Sequence, residues 1–127
     1  MSEKQILVLL VEDDTFLANI YKTKFEMEGF KVIVAENGEL GLKEAKKKKP
    51  NIILLDILLP KMDGFTVLEH LKEEDDLKEI PVILLTNLGQ KDDVEKGLAL
   101  GAIDYLIKAH FKPSETVGKV KKALDMS

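Results

Sequence analysis

Three carboxylates in a row, Glu12, Asp13 and Asp14, and a fourth, Asp56, close two of the chain's apolar runs. Two other runs end on a hydroxyl, Thr86, and an ammonium, Lys108. Carboxylates held together raise one another's pKa and destabilise a fold unless positive charge arrives. Oxygen-only ligands suit a hard cation such as Mg2+, which keeps several waters and binds through one or two carboxylates plus phosphate. A carboxylate can also be a nucleophile. A cation, a lysine and a hydroxyl donor around it would neutralise the equatorial oxygens of a transferring phosphoryl group. If the fold brings these groups together, the chemistry that fits is an aspartyl phosphate.

The elements that must position them can be read from periodicity. Ile6–Val11 is a continuous apolar run, and similar runs occupy Lys31–Ala35, Asn51–Leu55, Pro81–Leu85 and Ala102–Ile107. Such runs fit strands covered on both faces, as in parallel sheets. Helical spacing fills the gaps. Thr15–Glu28 carries Leu17, Ile20, Tyr21 and Phe25, with Asp14 as N-cap and Gly29 as stop. Gly38–Lys49 places Leu42 and Ala45 inside and ends at Pro50, with the basic run Lys46–Lys49 at a helix C-terminus, where cations suit the dipole. Gly64–Asp75 puts Val67, Leu68 and Leu71 on one face, and Lys91–Leu100 closes on Gly101. Pro113–Asp125 opens on proline and presents Val117, Val120 and Leu124. Met27, Met62 and Met126 fit core or turn packing, whereas His70 and His110 fit exposed positions.

Strand and helix thus alternate five times. This predicts an α/β fold, (βα)5, with a doubly wound parallel five-stranded sheet and right-handed crossovers. Ligands of such sheets bind at the carboxyl ends of the strands. Glu12, Asp13, Asp14, Asp56, Thr86 and Lys108 all fall there. An acidic triplet after one strand is ordinarily a helix cap and a solvated turn. The convergence of four strand ends on one sheet edge is what argues for a site.

Composition narrows the classes. The 127 residues suit one domain, expected over 1–127 with no output domain. A balance of 45% hydrophobic and 33% charged residues is that of a globular chain. The net charge of −4 disfavours direct nucleic-acid binding through phosphates. The absence of cysteine excludes disulfides and Cys-ligated zinc. No apolar run reaches membrane-spanning length, and Met1–Gln5 does not resemble a signal peptide, so a cytoplasmic location without membrane association is expected.

The segments Val11–Asp14, Asp56–Gly64, Leu85-Thr86 and Tyr105–Lys108 resemble the signature positions of response-regulator receiver domains, the phosphoacceptor modules of two-component signalling. The resemblance covers essentially the whole chain and points to the chemotaxis-regulator-like single-domain type. It implies a flavodoxin-like fold of strand order 2-1-3-4-5. It implies Asp56 as phosphoacceptor and Asp13 as direct Mg2+ ligand, with Glu12 acting mainly through water and the backbone carbonyl of Leu58 as a further ligand. Thr86 and Lys108 would contact phosphoryl oxygens, and Tyr105 would turn inward with Thr86 on activation. Asp14 is read as the helix cap, and Pro60 and Asp63-Gly64 as turn chemistry, with Gly64 in a backbone conformation denied to other residues. The implied partners are a sensor histidine kinase or phosphotransfer protein, and a downstream protein bound on the fourth helix, fifth strand and fifth helix. The domain would work as a monomer or a phosphorylation-dependent dimer. It would be a switch rather than an enzyme, beyond its own self-catalysed phosphorylation and dephosphorylation.

The chain departs from the family pattern in places. Lys108-Ala109 stands where members usually have Lys-Pro with a cis peptide. A non-proline cis bond costs about 2.5–4 kcal/mol, so the alternatives are a trans bond or a strained cis bond held by the site. Asn87 follows Thr86 where a small residue is usual, and Leu58 and Leu88 are apolar where many relatives are polar. Two leucines at the mouth of the site cannot orient a hydrolytic water, which predicts a slowly hydrolysed phosphoryl group. Two other readings are weaker. A phosphorylation-independent interaction module would ordinarily have lost one of the five site positions. An aspartate-nucleophile phosphatase would carry a second acid where Leu58 stands.

Overall fold

The computed structural model describes residues 5–87, 91–108 and 112–126. The elements alternate as β1 (Leu7–Val11), α1 (Thr15–Met27), β2 (Lys31–Ala35), α2 (Gly38–Lys48), β3 (Ile52–Asp56), α3 (Gly64–Glu73), β4 (Val82–Thr86), α4 (Lys91–Ala99), β5 (Asp104–Ile107) and α5 (Pro113–Ala123). All strand pairs are parallel, in the order β2-β1-β3-β4-β5. The chain therefore has the flavodoxin-like doubly wound fold.

The apolar runs are continuous because both sheet faces are covered. Along β1, Leu9 and Val11 enter a core built with Leu42 and Ala45 of α2 and Val67, Leu68 and Leu71 of α3. The alternate residues Val8 and Leu10 enter a second core with Ala18, Tyr21 and Phe25 of α1 and Val117 and Val120 of α5. Strand β3 sends Ile53 and Leu55 to the first core and Ile52 and Leu54 to the second. One sheet thus serves two cores with a period of two.

Three helix starts are fixed by side-chain caps. Asp14 Oδ1 accepts from the Leu17 amide at 3.1 Å, Asn37 Oδ1 from Leu40 at 2.9 Å and Asp63 Oδ1 from Thr66 at 2.9 Å. Asp63 is thus a helix cap as well as a turn residue. Lys49 closes α2 in the left-handed conformation at φ 47°. Lys46 and Lys49 reach Glu74 at 3.3 Å and Asp76 at 3.9 Å across the α3–β4 connection, so part of the basic run is paired.

Several expectations need correction. Strands β3 and β4 extend one residue beyond the apolar runs, because the ladder continues through Asp56↔Leu85 and Thr86↔Ile107. Helix α3 stops at Glu73, where Glu74 turns to extended backbone. In α1 the buried stripe is Ala18, Tyr21 and Phe25. Ile20, one residue and about 100° before Tyr21, sits on the flank and is 37% exposed. Met27 is exposed and so is Met126, whereas Met62 does pack against the α2–α3 core. His70 is exposed as expected, 3.8 Å from Glu73. His110 and Ala109, with the Lys108-Ala109 peptide, lie outside the described residues. No described helix is long and apolar enough to cross a membrane.

Candidate functional site

The carboxyl ends of β1, β3 and β4 deliver Glu12, Asp13, Asp56 and Thr86 to one edge, and Lys108 follows β5. The site is partly sealed. Glu12, Asp56 and Thr86 are buried, whereas Asp13 is exposed and opens it to water. The register that pairs Val11 with Leu55 and Asp56 with Leu85 sets neighbouring strand ends level, so groups far apart in sequence meet there.

Lys108 holds the centre. Its Nζ donates to Asp56 Oδ2 at 2.7 Å and lies 2.7 Å from Glu12 Oε1. Asp56 Oδ1 accepts from the Leu58 amide at 3.3 Å, and Glu12 Oε2 accepts from the Asp14 amide at 3.1 Å. Burial pushes the carboxyls of Glu12 and Asp56 above the usual carboxylate range, although their contacts with Lys108 pull the other way. Burial alone would lower the Lys108 ammonium, but Asp56 and Glu12 outweigh it and raise it. The acids are therefore not a naked repulsive cluster, as the sequence suggested. A lysine already pairs with two of them and offsets part of their charge.

Carboxylate oxygens of Glu12, Asp13 and Asp56 can all lie within 4.8 Å of one another. That spread suits a small cation with oxygens at about 2.0–2.1 Å on opposite sides. The contact from Lys108 to the buried Glu12 Oε1 is not directed as a hydrogen bond, and that oxygen has no hydrogen-bond donor among the described residues. The donor set is all oxygen, partly buried and open to water at Asp13, so these residues fit Mg2+.

A thermal melt checks this fit. A ligand bound only by the native state adds RT ln(1 + [L]/Kd), about 2.7 kcal/mol at a hundredfold excess over Kd. Because Lys108 already pairs with both acids, Mg2+ binding should be weakened, so at a fixed millimolar Mg2+ the excess over Kd, and with it the gain, is expected to be smaller. It should rise in Lys108→Met, where the cation has no competitor. An unchanged midpoint at millimolar Mg2+ in both proteins would contradict a metal site.

Sequence reasoning missed two contributors. Tyr21 is fully buried in α1, and its hydroxyl pKa is pushed up by burial first and then by the charges of Glu12 and Asp56. Its helical spacing marked it only as core. Gly64 matters for proximity rather than for an unusual backbone angle. A Cβ there would strike the Asp56 carbonyl oxygen and come within 2.8 Å of Ile57 Cα. The start of α3 is thereby pressed against the end of β3, with the Gly64 amide donating to Ile57 O at 2.8 Å. Leu58 is 67% exposed at the rim and Asn87 is exposed too, while Leu88 lies outside the described residues. Tyr105 is half-buried, its ring lining a groove with Lys91, Val94, Glu95 and Leu98 of α4 and with Ile107.

The model of the response regulator receiver domain family matches residues 8–121. Over 117 residues the chain is 38% identical to the DNA-binding dual master transcriptional regulator RpaA of Synechocystis sp. (strain ATCC 27184 / PCC 6803 / Kazusa), a match covering 92% of this chain and 48% of that protein. The chain spans about half the length of the curated relatives it matches. Among solved structures, a response regulator receiver domain protein of Methanospirillum hungatei JF-1 superposes with a TM-score of 0.89 at 29% identity, covering 96% of this chain and 95% of that one. The receiver domain of a sensor histidine kinase of Pseudomonas aeruginosa PAO1 superposes with a TM-score of 0.88 at 25% identity, covering 96% and 99%. That domain holds a magnesium ion in its active-site cleft.

Proposed function

Because the chain belongs to the response regulator receiver domain family of two-component signalling, we propose that it is a cytoplasmic, phosphorylation-dependent switch whose Asp56 accepts a phosphoryl group. The observation that carries this reading is Asp56 at the end of β3, buried, bonded to Lys108 and within metal-sharing distance of Glu12 and Asp13.

A carboxylate oxygen of Asp56 attacks phosphorus. As that P–O bond forms, the P–N bond to the donor histidine breaks, and the imidazole leaves with the electron pair. Glu12, Asp13, Asp56 and the Leu58 carbonyl would hold Mg2+, which supplies positive charge to the phosphoryl oxygens. Lys108 keeps its charge at the site and turns from the Asp56 carboxylate to the new phosphoryl oxygens. The Thr86 hydroxyl donates to another of them, drawing the end of β4 toward the site. Tyr105 follows inward and changes the α4–β5–α5 face, where a downstream protein binds. The donor is a sensor histidine kinase or phosphotransfer protein. The switch operates as a monomer or a phosphorylation-dependent dimer, and its only chemistry is its own phosphorylation and dephosphorylation.

The direct test is intact mass after incubation with Mg2+ and acetyl phosphate. The expected result is the gain of one phosphoryl group, and no gain when the metal is chelated before the donor is added. No gain under any donor and metal condition would overturn the reading.

The lifetime of that group is expected to be long. Leu58 is exposed beside Asp56 and offers attacking water neither donor nor acceptor from its side chain. One oriented hydrogen bond in the transition state is worth about 1 kcal/mol, several-fold in rate. Decay after donor removal should therefore be several-fold faster in Leu58→Asn, and faster again with Leu88→Glu added. Equal decay in parent and double variant would show that these leucines do not set the lifetime.

A further inference from the structure

We propose that Lys119 is a positioning residue that holds the half-buried Tyr105 in its resting place beside the α4–β5 groove in the unmodified protein, by clamping the Asp104 carboxylate and the face of the Tyr105 ring together. The inference rests on the switch reading only for its consequence, since the clamp itself is a property of the unphosphorylated chain.

The geometry comes from two neighbouring residues of β5 and one of α5. Asp104 Oδ1 accepts from the backbone amide of Tyr105 at 2.8 Å, which fixes the carboxylate against the strand. Its Oδ2 accepts from Lys119 Nζ at 2.9 Å. The same ammonium lies 6.0 Å from the centroid of the Tyr105 ring. Strand β5 is at the sheet edge, so its outer side is free to take this local pairing. Asp104 and Lys119 are 35% and 37% exposed. Each contact by itself is therefore weak. Their arrangement adds a direction. The carboxylate oriented by the Tyr105 amide sets the lysine, and the lysine covers the ring that lines the α4–β5 groove.

For Tyr105 to turn inward, the cation must lose its ring contact while remaining tied to Asp104. The clamp thus biases the resting protein against the inward conformer and sets how much of it exists before phosphorylation. Only the cation–ring contact differs between the two conformers, and an exposed contact of that kind shifts such a ratio roughly two- to fivefold. A partner or modification that draws off Lys119 would favour the inward conformer without touching Asp56.

The chain has two tyrosines, Tyr21 and Tyr105. Fluorotyrosine labelling therefore gives two fluorine resonances, assigned by Tyr105→Phe. Without phosphodonor, Lys119→Met and Asp104→Asn should each move the Tyr105 resonance toward the inward position and reduce its broadening by a soluble paramagnetic agent. Lys119→Arg should restore the parent spectrum. The Tyr21 resonance serves as an internal control for the core and should not move. An unchanged Tyr105 resonance in Lys119→Met, with the fold intact, would overturn the proposal. So would equal shifts in Lys119→Met and Lys119→Arg. Acetyl phosphate and Mg2+ are then added to the parent. If Tyr105 moves in Lys119→Met but not on phosphorylation of the parent, the clamp stands and the assigned switch fails.

Discussion

Replacing Asp56 by asparagine is expected to abolish phosphorylation while leaving the fold in place. The amide has no nucleophilic lone pair on its nitrogen and no negative oxygen, so the new P–O bond has no donor of electrons. The loss should exceed about a thousandfold in rate, equal to about 4 kcal/mol of barrier. The Asp56 side chain is 4% exposed, and its burial already disfavours the charged form. Removing its charge leaves Lys108 paired with Glu12 at 2.7 Å, one cation to one acid. The melting midpoint without Mg2+ should therefore move by only a few degrees. Intact mass with acetyl phosphate measures the first effect, and a thermal melt the second. Retained phosphorylation would place the acceptor elsewhere. A fall of more than about 10 °C, corresponding to a few kcal/mol at this chain length, would make Asp56 a structural residue.

Lys108→Met should be the most destabilising of the site substitutions in metal-free protein at neutral pH. The side chain is 11% exposed and bridges two carboxylates that are 0% and 4% exposed. Methionine keeps most of the stem, so the loss is chiefly the charge. Truncating one member of a buried ion pair costs about 3–5 kcal/mol, because the partner charge stays buried and unpaired. The midpoint should fall by roughly 10 °C or more. The cost comes from the two ion pairs rather than from lost packing.

The pH dependence gives the cause. Burial raises the Glu12 and Asp56 carboxyls above their unfolded values. Between the unfolded and folded pKa, the native state binds more protons, so stability falls as pH rises through that window. In Lys108→Met the favourable contacts with lysine are gone, and the window widens upward. The variant should regain most of its lost stability at acid pH, where both acids are protonated, and also on adding Mg2+. Midpoints of parent and variant measured from pH 4 to pH 8 provide the check. A deficit that is the same at both ends of that range would assign the loss to packing rather than to unpaired charge.

How much was legible beforehand follows from the scale of each feature. The five-fold alternation was open to the sequence because periodicity is local. A strand buried on both faces must be apolar throughout, as Ile52–Leu55 is, and a helix over it must show a stripe, as Val67, Leu68 and Leu71 do. The rule that ligands meet the carboxyl ends of parallel strands then gathered Glu12, Asp13, Asp56, Thr86 and Lys108 without coordinates. The cap at Asp14 was legible for the same local reason.

Only the tertiary structure decided the rest. Which side of α1 faces inward depended on how the helix is rotated against the sheet, and that put Ile20 on the flank and Tyr21 in the buried core. The need for glycine at position 64 arises from the end of β3 pressing on the start of α3, a contact no local pattern encodes. Most of all, the charge state of the site depended on reach. Lys108 and Asp56 are 52 residues apart in sequence. Whether a lysine pairs with two buried acids or merely stands beside them is settled by distances of 2.7 Å, because Coulomb energy in a partly buried site changes steeply over that range. Residue types named the participants. The packing of two helical layers on one sheet determined which charges touch.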